Sequence, residues 1–240
     1  MPLSSRIGGL ALMEFQPIGF LKSCYEEKFG IPRQPGLVPE ADSFLTLKDP
    51  ALLQGLEEFS HVWVVFVFHD LKKWNERPTI RPPRLGGKKR LGIFATRTPH
   101  RPNPIGISAV KLERIDWKSP GGPTLHFLGG DFLDGTPVLD IKPYIKYADS
   151  IPRASTGWLV TEKASSKKIT LSARAKKQLA HLPKKEAAAL SSLARKTIAL
   201  DPRPRVASRK QEFGMRLKGH NIRWKYHLKS VEITEVLRIP

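Results

Sequence analysis

Proline and glycine cut the first 150 residues into short apolar runs, and this limits the available architecture more than any other feature of the chain. IPRQPG (31–36), RPPRLGG (81–87) and RPNPIG (101–106) stand between strand-sized segments. These segments are FQPIGFL near 15–21, VWVVFVF at 62–68, LGIFAT at 91–96, ISAVKLERI at 107–115, TLHFLGG at 124–130 and VLDI at 138–141. Proline lacks the N–H a ladder needs and holds the preceding residue out of the helical region, so such a chain turns often and forms few helices. The pattern predicts a mainly β amino-terminal domain closed into a β-barrel, in place of alternating βα units. No Rossmann fingerprint is present: LGGKKRLG follows a proline-rich turn and leads into a strand, the wrong context for a phosphate-cradling helix start.

From Ser150 to Lys168 the chain becomes polar and small. The expected division is a barrel domain over 1–157, a linker over 158–168 and a second domain over 169–240. Helical periodicity runs through LSARAKKQLAHL (171–182) and KKEAAALSSLARKTIAL (184–200), the latter opened by Pro183 and stopped before DPRPR. Three strand-like segments follow, FGMRLKG, NIRWKYHL and VEITEVLRI, so the second domain reads as a small α+β unit of order α-α-β-β-β.

Charge points to a partner. The net charge is +19, from 41 Lys and Arg against 22 Asp and Glu. Residues 1–158 carry 21 basic and 16 acidic side chains, whereas 159–240 carry 20 and 6. An excess of this size implies a polyanion, and its position makes the second domain the source of phosphate contacts, Arg203 and Arg205 among them. The single cysteine, Cys24, excludes a disulfide framework and the thiolate set of an iron–sulfur cluster. The seven histidines lack zinc-ligand spacing, so no metal is expected. The longest apolar run, 62–68, is strand-sized, and a soluble, cytoplasmic protein is expected.

Four segments carry polar groups in restricted settings. Arg33 and Gln34 lie between Pro32 and Pro35, where they suit a carboxylate or ribose, or equally cap a turn. His69 and Asp70 end the apolar run, at a barrel rim or as satisfied structural residues. TRTPHRPNPIG (96–106) presents Arg97, His100, Arg101 and Asn103 from a loop stiffened by three prolines, as anion recognition favours. In DFLDGTPVLDIKPY (131–144), Gly135 lets backbone approach a ligand, while Asp134 and Asp140 serve a site or simply a turn and a strand end. Lys142 can meet phosphate and Tyr144 can stack on a base.

KFGIPRQPGL (28–37), LEEFSHVWVVFVFH (56–69), RPPRLGG, GIFATRTPHRPNPIGIS (92–108) and DFLDGTPVLDIKPY occur in that order. Together they resemble the TrmO, or TsaA-like, family of tRNA adenosine-37 N6-methyltransferases over most of residues 15–157. DPRP (201–204) and NIRW (221–224) extend the likeness. The resemblance implies a β-barrel that binds S-adenosyl-L-methionine and forms a homodimer. It also implies methylation of N6-threonylcarbamoyladenosine at position 37 of a threonine tRNA.

By the same resemblance the cofactor is held by Pro32, Arg33, Gln34, His69, Asp70, Arg97, Leu133, Asp134, Gly135 and Thr136. The family commonly has glutamine where this chain has Asp70. RNA contacts fall to Arg101, Asn103, Lys142, Tyr144, Arg203 and Arg205, with no DNA or membrane partner. A urea-like nitrogen is a poor nucleophile, so alignment and exclusion of water must supply most of the rate, with Asp134 as the candidate proton acceptor. Two rivals remain open: a non-catalytic RNA-binding protein, and a ribonuclease or translation factor acting through the second domain, whose element order resembles the RelE-like toxin module.

Overall fold

The run HVWVVFV forms β4 (His61–Val67), with Val62, Val64 and Phe66 buried and the alternate residues more exposed, as the period of two in a strand requires. It lies in a computed structural model that describes residues 14–71, 76–82, 85–159, 167–203 and 212–239. β4 pairs antiparallel with β7 (Ile105–Asp116) on one side and β9 (Pro137–Pro143) on the other. Past β7 come β8 (Thr124–Leu128), β3 (Asp42–Thr46) and β2 (Lys22–Ser23), and past β9 comes β1 (Gly19–Phe20). Leu21 alone separates β1 from β2, so the two ends of the sheet order are one stretch of chain and the sheet nearly closes on itself. Near-closure leaves little free ladder edge. The barrel expectation therefore holds, with Leu21, Leu45, Val64, Leu125, Phe127, Phe132 and Val138 in the interior.

Several local expectations change. Of FQPIGFL, only Gly19–Phe20 is strand. Of LGIFAT, only Leu91–Gly92 is strand (β6), paired with β5 (Thr79–Ile80); Ile93–Ala95 is a 3-10 turn that leaves Phe94 79% exposed. Periodicity cannot separate a buried strand from a short apolar turn. β3, DSFLT, was not foreseen from the sequence, since five residues with two polar ends give a weak strand signal.

The carboxy-terminal part begins with another unforeseen strand, β10 (Lys168–Leu171), ahead of the expected elements α2 (Ala173–Ala180), α3 (Lys184–Ala199), β11 (Glu212–Leu217), β12 (His220–Tyr226) and β13 (Ser230–Arg238). A short helix, α1 (Lys146–Asp149), closes the amino-terminal part. The sheet order is β10-β13-β12-β11, with β10 parallel to β13 and the other pairs antiparallel. A four-residue strand paired with a distant partner leaves no local pattern. α2 starts where Ser172 Oγ accepts the Ala175 N–H at 3.1 Å, the usual cap for a helix start. α3 buries Leu190, Leu193, Ala194 and Ile198 along one face. Their core also takes in Cys24, Tyr25, Val38 and Ala41, which lie between β2 and β3 of the barrel. Burial pushes the Cys24 thiol up to about 12, so it behaves as a small apolar group. No described helix is long and apolar enough to cross a membrane.

Candidate active site

The DGTP turn is held from three sides. Gly135, at φ +77, donates its N–H to the Leu21 carbonyl at 2.8 Å, and the Asp134 N–H reaches the Tyr25 carbonyl at 2.8 Å. Thr136 Oγ1 donates to the Leu133 carbonyl at 2.7 Å, so this side chain closes the turn and lies buried. Asp134 Oδ1 accepts the Ser23 N–H at 2.9 Å, and its Oδ2 stands 3.8 Å from Lys22 Nζ. A Cβ on residue 135 would sit 3.8 Å from His69 Nε2. Glycine there both takes the left-handed backbone and leaves the turn bare in front of the histidine.

His69, Asp70, Leu133 and Asp134 form one side of an open cavity of about 550 Å³; Glu26, Glu27, Lys28 and Phe29 form the other. Lys28 Nζ meets Asp70 Oδ2 at 3.0 Å with both side chains more than half exposed, a pair worth little in free energy but able to hold orientation. A second cluster lies upstream along the same segment. Arg97 donates to Gln34 Oε1, and Gln34 Nε2 donates to the Arg33 carbonyl. Ser108 Oγ donates to Asp131 Oδ1 at 2.6 Å. Burial pushes the Asp131 carboxyl up to about 6, against the pull of the Ser108 hydrogen bond and the Arg97 charge.

Gln34 is thus joined to Arg97 across 63 residues of sequence, and His69, Asp70, Leu133 and Asp134 meet at one cavity. Pro32 is buried at the base of its loop and Arg33 is exposed. Arg101 lies 5.9 Å from the centroid of the exposed Phe94 ring, and Asn103 is exposed nearby. Lys142 and Tyr144 are not gathered with these residues. The β4–β9 register pairs Phe66 with Val138 and Val62 with Pro143, so the two residues stand at the far rim, roughly 20 to 26 Å along the strand from the turn. There Lys142 pairs with Asp140 at 2.9 Å, and Tyr144 packs on Trp63 at 5.6 Å.

Arg203 makes two 2.6 Å hydrogen bonds to Asp201 and lies 3.7 Å over the Tyr226 ring. Arg205 falls outside the described residues. Glu26, Glu27, Phe29, Ser108 and Asp131 escaped sequence reading as site residues. Nothing in a local window marks them, because their neighbours come from other strands. Among the described residues no group of three or more His, Cys, Asp or Glu side chains is placed to hold a metal.

Known proteins resemble this chain along most of its length. Residues 20–150 match the family model of the tRNA-methyltransferase O N-terminal domain, and residues 164–239 match that of the TrmO C-terminal domain. The tRNA (adenine(37)-N6)-methyltransferase of Escherichia coli (strain K12) is 42% identical over 90% of this chain and 94% of its own length. A Pyrococcus abyssi protein, named a probable S-adenosyl-L-methionine-binding protein, is 37% identical over 60% of this chain and 75% of its own. The crystal structure of TrmO from Pseudomonas aeruginosa superposes with a TM-score of 0.75 at 35% identity, covering 94% of this chain and 99% of that one. Both parts of the chain, barrel and carboxy-terminal unit, are accounted for, and the protein belongs to the tRNA-methyltransferase O family.

Proposed function

We propose that this protein transfers a methyl group from S-adenosyl-L-methionine to N6 of adenosine 37 in a tRNA, with N6-threonylcarbamoyladenosine of a threonine tRNA as its substrate. The observation that carries the reading is the convergence of His69, Asp70, Leu133 and Asp134 on one cavity, with Gly135 leaving the turn bare beside His69, in a chain whose Escherichia coli relative is named for this reaction.

The donor set fits the cofactor. The cavity volume lies in the range of small-molecule sites. Leu133 and Phe29 offer apolar surface, the 133–135 turn offers backbone, and the acidic lining suits an ammonium and a sulfonium. Arg97, held by Gln34, suits a carboxylate. When bound, S-adenosyl-L-methionine supplies an activated methyl group. The chain aligns N6 with it and offers Asp134 to receive the N6 proton. Half-buried Arg101 and exposed Asn103, on the same loop as Arg97, would meet the RNA. The family reading also makes the protein a cytoplasmic homodimer, to which Ile105 and Ile107 on the outer face of β7 offer exposed apolar area.

Calorimetric titration with S-adenosyl-L-methionine and with S-adenosylhomocysteine tests this reading. Saturable binding near one equivalent per chain, followed by methyl transfer to tRNA, supports it. Transfer to tRNA carrying N6-threonylcarbamoyladenosine but not to unmodified tRNA supports the finer substrate. Absence of cofactor binding, with or without tRNA, sinks the reading in favour of an RNA-binding module.

A further inference from the structure

The stretch between β2 and β3 is tied to the cavity and to the carboxy-terminal sheet at the same time. Tyr25 makes a parallel bridge to Leu133 and an antiparallel bridge to Leu217 of β11. The Cys24 carbonyl accepts the Lys218 N–H at 3.1 Å. Next along the chain, the Glu26 carboxylate accepts the Gly219 N–H, and Glu27 Oε1 accepts the Arg216 N–H at 3.0 Å. The Phe29 ring then stacks on Trp224, with centroids 5.9 Å apart and planes 7° from parallel, and on Phe213 at 6.1 Å. Glu26, Glu27 and Phe29 also line the cavity, whereas Phe213 and Trp224 do not.

A cavity wall pinned on one side only would have to be ordered by the ligand. One pinned from behind by charge-assisted hydrogen bonds and ring stacking is ordered beforehand, which lowers the entropy cost of binding. We propose that Tyr25, Glu27 and Phe29 are positioning residues through which the carboxy-terminal sheet sets the wall of the methyl-donor cavity. That module then governs cofactor affinity as well as contact with RNA. The proposal rests on the functional reading above.

The test uses the full chain. S-adenosyl-L-methionine binding is measured by calorimetry for wild type, Phe213→Leu, Glu27→Ala and Glu27→Gln, with tRNA affinity measured separately and the fold followed by near-ultraviolet circular dichroism. Phe213→Leu and Glu27→Ala each weaken cofactor binding by about tenfold or more while tRNA affinity stays within about twofold. Glu27→Gln recovers most of the loss, because the amide oxygen still accepts the Arg216 N–H.

Folded Phe213→Leu or Glu27→Ala protein that binds the cofactor as wild type does overturns the proposal. Glu27→Gln as weak as Glu27→Ala also overturns it, since Glu27 would then act by its charge on the ligand. Should Phe213→Leu fail to fold, the exposed hydrogen bond removed by Glu27→Ala decides the matter alone. Wild-type protein that binds no cofactor overturns the functional reading itself, a result separable from any difference among variants.

Discussion

At the scale of single residues, two carboxylates in one segment have different environments. Asp134 sits at the cavity with one oxygen on the Ser23 N–H and the other facing Lys22. Asp134→Asn keeps an acceptor for Ser23 and loses the charge, so kcat should fall on the order of 100-fold with cofactor affinity little changed if the carboxylate receives the N6 proton. Steady-state kinetics with cofactor and tRNA varied separately check this; unchanged kcat assigns Asp134 to the turn alone. Asp131 is held above its ordinary value of 3.8, at about 6, by burial. Its native form therefore binds the proton more tightly than the unfolded chain does. Wild type should be most stable relative to Asp131→Asn below about pH 4, lose that advantage as pH rises to about 6 and change little beyond, by an amount on the order of 3 kcal/mol. Denaturant midpoints of both proteins across this range measure it. The sequence offered Asp134 through its glycine turn and hid Asp131, whose hydrogen-bond partner Ser108 lies 23 residues away on β7.

At the scale of elements, close packing between strands constrains the barrel more than turn chemistry does. Gly106 of β7 lies opposite Phe66 of β4, and a Cβ added there would fall 2.3 Å from the ring. Gly106→Ala should destabilise the protein by about 1–3 kcal/mol, since neither the ring nor the strand can yield freely in a closed sheet. Urea or thermal unfolding reads the loss, and a change within about 0.5 kcal/mol contradicts the close approach. Elements with a full period of alternation or several helical turns, such as β4, β7 and α3, were legible in the sequence. β3, β6 and β10 were missed or overextended, because strands of two to five residues owe their existence to partners far along the chain.

At the scale of the whole molecule, the excess positive charge lies in the part that follows the barrel. Lys176, Lys177, Lys184 and Lys185 are exposed on α2 and α3. If they meet tRNA phosphates, replacing all four by Gln should shrink the slope of log affinity against log salt by about 3, with cofactor affinity unchanged. Filter binding over a salt series checks this, and an unaltered slope moves the RNA to another face. The sequence by itself determined the barrel, the small α+β unit, the absence of an internal disulfide framework and, through its ordered motifs, the family. These follow from local periodicity, composition and strings long enough to be specific. Only the tertiary structure brought Gln34 to Arg97, set Lys142 and Tyr144 at the far rim, and buried Asp131. It alone packed Tyr25 and Phe29 into the carboxy-terminal core while Phe29 also borders the cavity. The physical reason is that register, ring closure and shared burial depend on which distant segments meet, and no local window of residues encodes that meeting.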